Sequence, residues 1–107
     1  MHKSLIISSL CILIFTGCFR QEVRTIVVEV PQMHSAACGQ VIQDALVRGD
    51  GILSAHPDLL AKTISVTYES TKIAAKNVES IIADVGFRAN DRPPDETVRA
   101  TLAAECQ

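Results

Sequence analysis

A ferredoxin-like α+β sandwich, with a four-stranded antiparallel sheet and two helices on one face, is the fold class the sequence predicts. Three observations carry it. Thr63 to Tyr68 alternates cleanly, so Ile64, Val66 and Tyr68 share one face as in a half-buried strand. Two stretches carry helical stripes, one through Val41 or Ile42, Ala45 and Leu46, the other through Val78, Ile81, Ile82 and Val85. Further β-branched runs complete the order strand, helix, strand, strand, helix, strand, the split βαβ pattern.

Thr25 to Val30 reads as the first strand, with Ile26, Val28 and Val30 on one face. Pro31 ends its pairing, and Gln32 to Ser35 form a loop. Ser35 is suited to cap the first helix, since its hydroxyl can accept from the N–H of Ala37 or Cys38. That helix is expected to run to about Val47 and to end at Gly49-Asp50-Gly51. Ile52 to His56 is a weaker strand, which Pro57 places at an edge or stops early. Leu59 to Lys62 turns into the Thr63–Tyr68 strand. The second helix is expected over Ile73 to Val85, closed by Gly86. Phe87-Arg88-Ala89 then starts a fourth short strand. Arg92-Pro93-Pro94 breaks regular structure. Asp95 to Cys106 has the makings of a short helix, with acids at its positive end and Val98 one turn from Leu102.

The chain of 107 residues holds one small domain preceded by a leader. Lys3 followed by the apolar run Leu5–Phe15 fits a secretory signal peptide and is shorter than the ~20 residues that span a bilayer. Phe15-Thr16-Gly17-Cys18 resembles the lipobox of bacterial lipoproteins, and that resemblance implies that Cys18 is acylated and becomes the mature N-terminus. The expected organisation is a signal peptide over 1–17, a tether over 18–23, a domain over 24–90 and a tail over 91–107. The mature protein is then expected in the cell envelope, facing the periplasm. In that oxidising space it keeps two cysteines, Cys38 and Cys106, once Cys11 is cleaved off and Cys18 is lipidated. Its charge is mildly negative and it lacks a basic patch or aromatic platform, so nucleic acid is not an expected partner. Paired carboxylates, a phosphate loop and a nucleophile elbow are all missing from the sequence, which argues against an enzyme.

The stretch Arg24–Asn90 resembles the heavy-metal-associated domain family, whose members include periplasmic mercury-binding proteins and copper chaperones. Met33 and His34 match the family's loop, and Cys38 matches its second metal-binding cysteine. Ile42, Ala45, Leu46, Gly51 and Ile52 fall at its spacing. Ile64-Ser65-Val66-Thr67-Tyr68 and Val85-Gly86-Phe87 match its third strand and the turn after its second helix. In the family, two loop thiolates clamp a soft ion such as Cu(I) or Hg(II). This chain departs twice: Gln32 replaces the loop glycine, and Ser35 replaces the first cysteine.

Cys38 is therefore the leading candidate ligand, placed where the positive end of a helix favours a thiolate. His34 offers an imidazole or is simply an exposed loop residue. Met33 is expected in the core, as its family counterpart is. Cys106 either folds back as a disulfide partner or second thiolate, or is a flexible exposed cysteine. The resemblance implies a lipid-anchored envelope protein that binds or hands on a soft ion, with a metal transporter or a second copy of itself as partner. Two alternatives remain open: an interaction module that keeps the fold without binding metal, and a thiol-redox protein acting through Cys38.

Overall fold

The computed structural model describes residues 22–107. The expected signal peptide and the expected lipidation at Cys18 lie outside the described residues. Among the described residues, no helix is long and apolar enough to cross a membrane.

The elements run β1 (Val23–Glu29), α1 (Ala36–Val47), β2 (Ile52–Asp58), β3 (Thr63–Glu69), α2 (Ala75–Asp84) and α3 (Glu96–Arg99), followed by a 3₁₀ turn over Ala104–Cys106. Among the described residues the sheet has three antiparallel strands in the order β1-β3-β2. Alternation decides its faces. Val28, Ile64, Val66 and Tyr68 point to the core. On the other face the Thr25 and Thr67 hydroxyls meet at 3.0 Å across β1 and β3. β2 continues through Pro57, which its edge position permits because one side of an edge strand needs no donor. Val28 and Ile64, in register across β1 and β3, lie under the helical residues Ile42, Leu46, Val78 and Ile82, all fully buried.

The fourth strand does not form, and the hydrogen bonds explain why. Phe87 N–H turns back to Ile82 O, and Ala89 N–H is taken by Arg92 O in a tight turn. The Arg88 N–H goes to the side-chain oxygen of Gln32 at 2.6 Å. Only Asn90 pairs with β1, donating its N–H to Glu29 O and accepting the Glu29 N–H on Oδ1, each at 2.9 Å. A side chain thus completes the one rung that a strand would have begun. Asn90 has φ 51°, in the left-handed region, which bends the chain away before Pro93 and Pro94.

The tail docks rather than hangs free. Asp95 caps α3 by accepting from Thr97 N and Val98 N. Its own N–H donates to Ala83 O at the end of α2. The helix expected over Asp95–Cys106 is thus reduced to α3 and the terminal turn. Leu102 packs against the core. Gly86 makes the docking possible: its φ is 95°, and a Cβ there would sit 2.9 Å from the Arg99 backbone.

Candidate metal centre

β1 hands the chain to α1 through a loop held at both ends. Val30 N–H donates to Lys62 O at 2.8 Å, and Met33 N–H to Val30 O at 3.1 Å. Met33 is fully buried and belongs to the core cluster, so its thioether packs. Ser35 is the N-cap of α1, in extended backbone, with its hydroxyl accepting from Cys38 N–H at 3.4 Å. The same hydroxyl lies 3.3 Å from the Cys38 sulfur.

Cys38, the leading candidate ligand, does not face solvent. It is fully buried, among Met33, Ile42 and the rest of the core cluster. Its sulfur is bonded to that of Cys106, which is itself 3% exposed. The two Cα atoms are 5.6 Å apart although 68 positions separate them in the chain. Of the two readings the sequence left open for Cys106, the folded-back one describes the structure.

Gln32 explains how the tail arrives there. Its amide nitrogen donates to Gly86 O at 3.2 Å and to Cys106 O at 3.1 Å, while its amide oxygen takes the Arg88 N–H. One partly buried side chain ties the loop, the exit of α2 and the tail together. Sequence reasoning saw Gln32 only as a missing glycine. A long amide beside a helix start, able to hold backbone groups on two other segments, was the signal.

His34 is not brought to the sulfurs. It is exposed, and its Nδ1 lies 2.7 Å from Lys62 Nζ, so that nitrogen accepts from an ammonium. Glu105 is brought there instead. The Cys38 sulfur, the Cys106 sulfur and a Glu105 carboxylate oxygen lie within 4.8 Å of one another. As long as the sulfurs are joined, neither is a thiolate ligand. Reduction would supply two soft donors at the positive end of α1.

Comparison with known proteins places this arrangement. The heavy-metal-associated domain model matches residues 27–88. The chain belongs to the heavy-metal-associated domain family. Among solved structures it is similar to oxidized MerP from Ralstonia metallidurans CH34, with TM-score 0.62 and 20% identity over 64% of this chain and 96% of that one. At that identity the likeness shows the fold. It is also similar to a CopZ metallochaperone, with TM-score 0.60 and 27% identity over 62% of this chain and 98% of the other. The copper-binding domain of HMA7, a P-type ATPase, matches with TM-score 0.61 and 30% identity over 63% and 90%. Among curated proteins there is no significant match. The family fold is therefore present with one sheet strand fewer than expected. The disulfide-bonded tail falls outside the matched residues.

Proposed function

We propose that this protein carries a soft heavy-metal ion, Cu(I) or Hg(II), at the cell envelope, anchored by a lipid on Cys18. One observation carries the reading: another sulfur, from Cys106, lies against the Cys38 sulfur in a chain whose loop has lost its own first sulfur to Ser35. The tail replaces the missing thiol. A Cα separation of 5.6 Å lets two thiolates reach one ion between them. The oxidised form is then the closed state and the dithiol the loading state. The Ser35 hydroxyl, 3.3 Å from the Cys38 sulfur, is close enough to donate to it once the bond is opened. Handing the ion to an envelope metal transporter fits a family in which a solved relative is a P-type ATPase domain.

Anaerobic Cu(I) titration tests this. The reduced protein binds one ion, the oxidised protein none, and Cys106→Ser loses most of the affinity. Adding Ser35→Cys to Cys106→Ser restores it, because the family's loop pair is then rebuilt. Unchanged affinity in Cys38→Ser removes the reading. Failure of the reduced protein to bind at all favours the other reading, an interaction module, for which the burial of Cys38 speaks.

A further inference from the structure

We propose that the reduced form also holds a three-donor site for a divalent thiophilic cation such as Zn(II) or Cd(II), formed by Cys38, Cys106 and the Glu105 carboxylate. The inference rests on the same dithiol as the carrier reading and goes beyond it in ligand and in metal class. The three donor atoms already lie within 4.8 Å of one another, and among the described residues no other group of three His, Cys, Asp or Glu donors does so.

The chemistry separates the two kinds of ion. A near-linear Cu(I) needs only two soft donors and leaves Glu105 spare. A tetrahedral divalent ion takes sulfur at about 2.3 Å and carboxylate oxygen at about 2.0–2.2 Å, so its donors stand roughly 3.5–4 Å apart. The two sulfurs move apart to that separation once their bond is cut, and the Glu105 oxygen already lies within 4.8 Å of both. Glu105 is exposed, so its charge costs little to keep, and water can fill the fourth position.

What holds the donors together does not depend on the disulfide. Gln32 donates to the Cys106 carbonyl at 3.1 Å, Cys106 N–H donates to Ala103 O at 2.8 Å, and Leu102 stays packed on the core. Opening requires two thiols of a reducing partner. They leave as a disulfide and deliver two electrons and two protons, so Cys38 and Cys106 each end as a thiol. Binding a divalent ion then expels those two protons. The complex carries net charge of about −1, from two thiolates and one carboxylate around a dication.

The test uses the purified full chain, reduced with a phosphine and titrated without oxygen against Cd(II) and, separately, Cu(I). Thiolate-to-cadmium ultraviolet absorption and proton release are the readouts. The parent chain takes up one Cd(II) and releases two protons. Glu105→Gln weakens Cd(II) and Zn(II) by about tenfold or more and leaves Cu(I) within about twofold. Because Glu105 is exposed, the variant is expected to fold, and an unchanged circular dichroism spectrum confirms it. Equal affinities in parent and variant, or equal losses for both kinds of ion, overturn the three-donor site while Cu(I) binding keeps the carrier reading. Absence of Cu(I) binding beside a Cd(II) signal that needs Glu105 does the reverse. Equal Cd(II) uptake by the oxidised protein overturns the site as well.

Discussion

The chain crosses from a strand into a core helix twice, and the two crossings are built differently. After β3, the turn over 70–74 is tied at its start to Glu22, whose carbonyl accepts the Ser70 N–H at 2.8 Å, and is otherwise held by local contacts. Lys72 pairs with the mostly buried Glu69 carboxylate at 3.3 Å, an ion pair without a directed hydrogen bond. Asn77 accepts the Ala74 N–H on Oδ1, half of a capping box, because Ala74 has no side-chain acceptor to return the bond. After β1, the loop over 30–35 is held by groups from far along the chain: Lys62, Gly86, Arg88 and Cys106. The first crossing buries a sulfur at a helix start and brings a second sulfur to it. The second crossing brings no sulfur at all. One topology thus yields one inert corner and one with chemistry, and the difference lies in what the tail adds.

The strongest way to break this contrast is to cut the covalent tie. Cys106→Ser in the oxidised protein should lower unfolding stability by about 2–4 kcal/mol, since the bond closes a long loop. Urea denaturation of parent and variant measures it. With reductant present the gap should nearly close, and a gap that persists would mean the serine itself is the problem. Next comes the docking surface. Gly86→Ala places a Cβ against the Arg99 backbone at a φ of 95°, with an expected cost of about 1–3 kcal/mol. The Cys106 amide should then exchange faster while the Ile73 amide in the second crossing is unaffected. Equal acceleration at both would show that the tail is not a separate unit. The smallest effect sharpens the comparison. Ser35→Ala should cost about 1 kcal/mol through the lost cap. Asn77→Ala should stay within about 0.5 kcal/mol, its contact being exposed. Matching losses in thermal unfolding would erase the distinction between the corners.

The sequence made the folded frame readable where periodicity and burial agree. The Ile64, Val66, Tyr68 face and the Val78, Ile82 stripe are buried as their spacing implies, because the core they face is the only place to put them. The missing strand was not readable. Phe87-Arg88-Ala89 has strand-like residues, but its donors are consumed by Ile82, Gln32 and Arg92, partners that no local pattern displays. The candidate site was half legible. Cys38 could be singled out from its match to the family's metal-binding cysteine at a helix start, and Ser35 as a cap from residue type and position. That Cys106 meets Cys38, that Glu105 comes with it, and that His34 turns instead to Lys62 all depend on where the tail docks. That docking rests on Gly86 and Gln32 jointly, and each residue taken singly says little.

The 68-residue gap between the paired sulfurs has a bearing on how the molecule is made. During synthesis Cys38 emerges well before Cys106, so it waits as an unpartnered thiol until most of the domain has followed. Val28, Ile42 and the β3 residues can collapse around it in that interval, sheltering it from wrong partners. Maturation of this corner is therefore a late event, completed only when the segment carrying Cys106 seats itself on helices and strands made before it.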